Sequence, residues 1–126
     1  MAKPARVLVV EDEASVGQVV VDVLADEGHE VRWATNGRDA LALLDHWRPD
    51  VIVLDLMMPV MDGRAFRAAQ RRLPDTVARV PVVVLSGMRE ARATAEELGA
   101  AAVLAKPFEL EELVETVGQV LEPPST

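Results

Sequence analysis

The sequence predicts an α/β domain with a doubly wound parallel sheet and helices on both faces. Two observations predict it. Short apolar runs alternate with segments of helical period five times along the chain, the pattern of a parallel sheet covered by helices. The runs at 7–10, 51–54 and 82–85 are almost unbroken Val, Ile and Leu, as suits central strands buried on both faces. At 126 residues the chain suits one domain, with a core over 5–121 and a tail or linker stub at 122–126.

The elements follow in order. "RVLVV" (6–10) is the first strand. Val16, Val19, Val20, Val23 and Leu24 recur at helical spacing, and Gly28 stops that helix. "EVRWAT" (30–35) alternates; Arg32 and Trp33 make it an edge strand. Ala40, Leu41, Leu44 and Trp47 repeat at helix period. "VIVL" (51–54) is a strand, and a helix over 62–72 begins near Asp62–Gly63. "VPVVVL" (80–85) places Pro81 at a strand's start, where a missing N–H is tolerated. A helix over 89–98 ends at Gly99, "AVLA" (102–105) is the last strand, and Leu110, Leu113, Val114, Val117 and Val120 line the last helix.

Composition narrows the function classes. There are no cysteines, which excludes disulfides and thiolate metal sites. The net charge is −8, so phosphate backbones repel the chain and direct nucleic-acid binding is not expected. No apolar stretch approaches the roughly 20 residues of a membrane span, and no secretory leader is read at the start. A cytoplasmic protein is the expectation. Eleven of the 13 bases are Arg, so Lys106 stands out.

In an open parallel sheet, ligands bind beyond the carboxyl ends of the strands, where strand order reverses. Glu11 and Asp12 follow the first strand, Asp55 the third, Ser86 and Gly87 the fourth, Lys106 and Pro107 the fifth. If strands one and three are neighbours, three carboxylates meet in one crevice. Oxygen ligands of that kind suit Mg²⁺. A cation there holds Asp55 ionised and ready as a nucleophile. Lys106, the Ser86 hydroxyl and backbone N–H groups would meet the charge spreading over an attacked phosphoryl group. Each residue also has an ordinary reading: Asp12 as a helix cap, Ser86–Gly87 as a turn, Lys106 as a solvated charge. An unpaired acid ending an apolar strand is harder to dismiss, because burying it is costly.

"VLVVEDE", "VIVLDLMMPVMDG", "VVVLSG" and "GAAAVLAKPF" together resemble the response-regulator receiver domain, the CheY-like family of two-component signalling, over residues 5 to 121. The resemblance implies a flavodoxin-like (βα)5 three-layer sandwich with strand order 2-1-3-4-5. It implies Asp55 as phosphoacceptor, with Asp12 as a direct Mg²⁺ (or Mn²⁺) ligand, Glu11 acting partly through water, and the Met57 carbonyl as a further ligand. Ser86 takes the place of the switch hydroxyl and Lys106 that of the phosphate-contacting lysine, with a cis Lys106–Pro107 bond. A histidine kinase or phosphotransfer protein would supply the phosphoryl group. The face of the fourth helix, fifth strand and fifth helix would carry the output to a partner protein or output domain. Such a chain transfers phosphoryl onto itself and turns over no separate substrate.

The chain departs from the family pattern at Val103, three residues before the lysine, where an aromatic residue is usual. There is no Tyr anywhere. Val103 is either an altered switch position or ordinary strand core. "GAAAV" lacks the acids, and "ELEELVETVGQVL" the bases, that relatives dimerising through the fourth and fifth helices carry, which leaves that dimer poorly supported and a monomer expected. Met57 and Met88 lie two residues past Asp55 and Ser86; they either shield a bound phosphoryl group and slow its loss, or point away. Two rivals remain. An aspartate-nucleophile phosphatase would want a second acid where Met57 stands. A pseudo-receiver, a pure interaction module, would normally lack one of the key residues, and none is missing here.

Overall fold

The computed structural model describes residues 4–58, 61–87 and 91–122. β1 (Arg6–Val10), α1 (Ala14–Asp26), β2 (Glu30–Ala34), α2 (Gly37–Leu44), β3 (Val51–Asp55), α3 (Gly63–Arg71), α4 (Asp75–Ala78), β4 (Val82–Gly87), α5 (Ala91–Leu98), β5 (Ala102–Lys106) and α6 (Leu110–Leu121) follow in chain order. The five strands pair in parallel as β2-β1-β3-β4-β5. The doubly wound sheet with reversal between β1 and β3 is therefore as expected, and so is β2 at the edge.

Side-chain alternation builds the two outer layers. Leu8, Ile52, Leu54, Val82 and Val84 face α2, α3 and α5 through Ala40, Leu44, Phe66 and Leu98. Val7, Val9, Val53, Val83 and Leu104 face α1 and α6 through Val20, Leu24, Leu113 and Val117. β3 is buried along its whole length, which is why its sequence alternates so little. Gly28 and Gly99 take φ of +94° and +62°. This left-handed backbone ends α1 and α5 where glycine predicted a stop.

Four local expectations are corrected. α2 ends at Leu44, so Trp47 lies in the turn beyond it, buried against the core; a turn delivered the ring that helical spacing seemed to require. The short α4 was not expected, and the fourth and fifth helices of the sequence reading are α5 and α6. Asp12 does not cap α1: Glu13 holds that position without a side-chain bond. Ser86, Gly87 and Lys106 belong to their strands rather than following them. Asp62 does begin α3, its side chain accepting from the Ala65 N–H at 2.9 Å.

The helical layer on the α3 side holds a buried polar network. Arg67 is 7% exposed and Gln70 fully buried. The Arg67 guanidinium donates to the carbonyls of Leu98 (3.0 Å) and Gly99 (3.2 Å) and to Gln70 Oε1 (2.8 Å). Gln70 Nε2 donates to the carbonyls of Val77 and Val80. Two residues one helical turn apart thus tie the end of α5 and the α4–β4 connection to α3. Removing one partner strands the others. Arg67→Met is expected to cost about 2–3 kcal/mol, a fall in Tm of roughly 10 °C by thermal denaturation; a fall under about 2 °C would show that water replaces the guanidinium.

Candidate functional site

The β1–β3 register sets the site. Val10 lies opposite Leu54, so Glu11 and Asp12 leave β1 beside Asp55, the last residue of β3. Oxygens of the three carboxylates lie within 4.8 Å of one another. Glu11 is fully buried, Asp55 is 3% exposed and Asp12 faces solvent. Glu11 and Asp55 continue the alternation of Val9 and Val53, and Lys106 that of Leu104, so all three turn toward the α1–α6 layer.

Lys106 Nζ donates to Asp55 Oδ1 at 3.2 Å and lies 3.5 Å from Glu11 Oε1. The Met57 N–H also donates to Asp55 Oδ1, at 3.2 Å. Among the described residues nothing bonds Oδ2. The carboxylate is thus fixed through one oxygen and keeps a lone-pair-bearing oxygen for chemistry. α3 closes the back of the loop: a Cβ at Gly63 would lie 2.7 Å from Leu56 Cα and 2.9 Å from the Asp55 carbonyl oxygen. That close approach is the reason for glycine there.

The electrostatics are under strain. Neither Glu11 oxygen has a hydrogen-bond partner. Burial first, then the Asp55 carboxyl beside it, push Glu11 from 4.5 to about 8, against the lowering pull of the Lys106 ammonium. Burial alone would lower Lys106, but Asp55 and Glu11 outweigh it and hold it above its ordinary value. A buried carboxylate with no hydrogen bond and only a 3.5 Å ion pair to Lys106, beside two other acids, fits a hard divalent cation.

The structure brings Glu11, Asp12, Asp55 and Lys106 together. Ser86 is buried at the neighbouring strand end, one residue past Leu85, which pairs with Asp55. By alternation its side chain follows Val84 toward the α2–α3–α5 layer. Val103 is half-buried against that same cluster and pairs with Val84, the environment of ordinary strand core. The Lys106–Pro107 bond is cis. Met57 is 76% exposed; Met88 lies outside the described residues. Two contacts escaped the sequence reading. The Glu11 N–H donates to the Ala34 carbonyl at 3.0 Å, and Trp33 Nε1 donates to the Glu11 carbonyl at 2.9 Å. Trp33 had signalled only an edge strand.

An apolar groove of about 600 Å³ adjoins Lys106, lined by Val16, Val19, Val20, Phe108 and Leu110. A larger cavity of about 720 Å³ lies around Arg6, Trp47 and Asp50, at the amino-terminal end of the sheet and away from the carboxylates.

The pH dependence follows from Glu11. Unfolded, it loses its proton near 4.5; folded, near 8. Between those values the folded state holds the extra proton, so stability falls as pH rises. Lys106 is held above 10.5, so its contribution is intact below 10.5 and is lost only at higher pH. Metal-free protein is expected to lose Tm steadily from pH 5 to pH 8, and Glu11→Gln to flatten that decline. An equally steep decline in the variant would place the titration elsewhere.

Comparison with known proteins agrees with this geometry. The profile of the Response regulator receiver domain matches residues 7–118. Response regulator MprA of Mycolicibacterium vanbaalenii is 39% identical over 113 residues, 88% of this chain and 48% of that protein. The probable transcriptional regulator ycf27 of Porphyra purpurea is 36% identical over 118 residues, 92% of this chain and 47% of that protein. The chain therefore spans about half the length of these relatives. The chemotaxis response regulator CheY4 of Vibrio cholerae superposes with a TM-score of 0.85 at 38% identity, covering 94% of this chain and all of that one. Among the described residues, no helix is long and apolar enough to cross a membrane. With its five-stranded order, its carboxylates at the β1 and β3 ends and its lysine on β5, the chain belongs to the response regulator receiver domain family.

Proposed function

We propose that this domain accepts a phosphoryl group on Asp55 from a histidine kinase or a histidine phosphotransfer protein, in the cytoplasm, and passes the signal to a partner or output domain through the α5–β5–α6 face. The observation that carries the reading is the hold on Asp55: Lys106 and the Met57 N–H both grip Oδ1, which leaves Oδ2 to attack. A new bond forms from that oxygen to phosphorus as the donor's P–N bond breaks, and the electron pair leaves with the donor imidazole. The three phosphoryl oxygens then need positive charge and donors around them.

Lys106 supplies one such charge, already positioned 3.2 Å from the attacked carboxylate. The Ser86 hydroxyl, at the end of the adjacent strand, supplies a donor that leans toward the phosphoryl group and draws the end of β4 with it. Mg²⁺ held by Glu11, Asp12 and Asp55, with the Met57 carbonyl, would neutralise the charge built up during transfer. The orphaned oxygens of Glu11 are what support that fit. Val103 limits the switch: an aliphatic side chain half-buried in the core has no polar tip to bring outward, so the change would run through Ser86 and the start of α5 rather than through a ring on β5. The domain acts on itself, and no separate substrate is turned over.

The donor approaches from the rim. The groove beside Lys106 is apolar, and the sequence from 7 to 31 and from 107 to 126 contains acids but no Lys or Arg. A donor helix with an apolar stripe flanked by bases would be drawn to that side.

The test is intact mass after incubation with acetyl phosphate. One added phosphoryl group that requires Mg²⁺ and is absent from Asp55→Asn is the expected result. Addition that survives in Asp55→Asn would move the acceptor elsewhere, and no addition even with a histidine-kinase donor would make the domain an unphosphorylated interaction module.

A further inference from the structure

We infer that Trp33 is a positioning residue for the carboxylate cluster: its indole N–H holds the Glu11 main chain and thereby fixes where Glu11 and Asp12 present their acids. The inference rests on the reading of that cluster as a divalent-cation site.

Both hydrogen-bonding groups of the Glu11 main chain are tied to β2. The N–H donates to the Ala34 carbonyl at 3.0 Å, and the C=O accepts from Trp33 Nε1 at 2.9 Å. β2 contributes no acid or base to the cluster, yet two successive residues of it clamp the two peptide groups that flank Glu11, the second of which joins it to Asp12. The clamp is needed because the acids repel one another once all three are ionised, as they must be to hold a cation. Left to itself, the β1–α1 connection would relax so as to part Glu11 and Asp12 from Asp55. Holding it costs nothing at the moment an ion binds, because the geometry is already made.

The sequence shows that space was made for this indole. Gly17 sits inside α1, a position where glycine costs roughly 1 kcal/mol relative to alanine. A Cβ there would overlap the six-membered ring of Trp33 and lie 2.8 Å from Nε1. The aromatic suits a strand, but the glycine within a helix runs against local preference. Together they form one fitted pair that aims the indole N–H at the Glu11 carbonyl.

Two variants separate positioning from packing. Trp33→Phe keeps an aromatic ring and removes the N–H. Gly17→Ala/Trp33→Phe fills the space that the smaller ring vacates, and so restores packing without restoring the donor. Mg²⁺ alone is titrated into each folded protein by calorimetry, with Tm measured in parallel. The loss of one hydrogen bond predicts a rise in the Mg²⁺ Kd of about three- to tenfold in Trp33→Phe. The double variant is expected to recover Tm but not Mg²⁺ affinity. A Kd within twofold of wild type in either variant would overturn the inference and leave Trp33 as packing; should the single variant not fold, the double variant decides. Failure of the wild type itself to bind Mg²⁺ would instead overturn the reading of the acids as a cation site, and the inference with it.

Discussion

Four residue pairs along the β1–β3 ladder, from Val7 opposite Val51 to Val10 opposite Leu54, decide nearly everything this molecule can do. Parallel pairing in that register sends both chains toward the same edge of the sheet, and it makes Glu11 and Asp55 neighbours. The apolar runs that form the two strands are what the sheet buries. Their burial therefore drives together two carboxylates that would otherwise avoid each other. The core supplies the driving force, and the acids at its rim absorb part of it as repulsion.

The rest of the site answers that repulsion. Lys106 reaches it from β5, across the whole of β4, and compensates Asp55 more directly than Glu11: the contacts are 3.2 Å and 3.5 Å, and only the first is a hydrogen bond. Glu11 is left buried without a hydrogen bond. A group in that condition is a reservoir of binding energy for a cation. Around the site, backbone constraints keep the acids from drifting apart. Gly63 lets α3 press on the carbonyl of Asp55, the Met57 N–H turns back to its carboxylate, and β2 grips the peptide of Glu11.

What could be read from sequence was what one period or one residue type announces. Val51 to Leu54 could only be a doubly buried strand, and Asp55 at its end had no apolar explanation. Gly28 and Gly99 marked helix ends that need positive φ. The lone Lys of an Arg-rich chain marked itself by chemistry. The missed features depend on contacts distant in the chain. Trp47 fits a helical spacing but is delivered by a turn; α4 is four residues long, too short for a period to register. Arg67 and Gln70 look like the solvated side of α3 until Leu98, Gly99, Val77 and Val80 arrive with carbonyls to be satisfied. Trp33 announced an edge strand, and nothing local could announce its bond to a residue 22 positions away. Ser86 was found by its place after an apolar run, although it proved to be inside the strand.

The central claim is that Glu11 is kept from ionising by its neighbours and burial, and that a divalent cation reverses this. Proton release on Mg²⁺ binding tests it most directly, by calorimetry at pH 7 in buffers of different ionisation enthalpy. With Glu11 raised to about 8, binding is predicted to expel about one proton per ion at that pH, and progressively less above pH 8. Binding with no proton released at pH 7 would mean that the three carboxylates are already ionised without the ion, and that the strand ends hold them at no such cost.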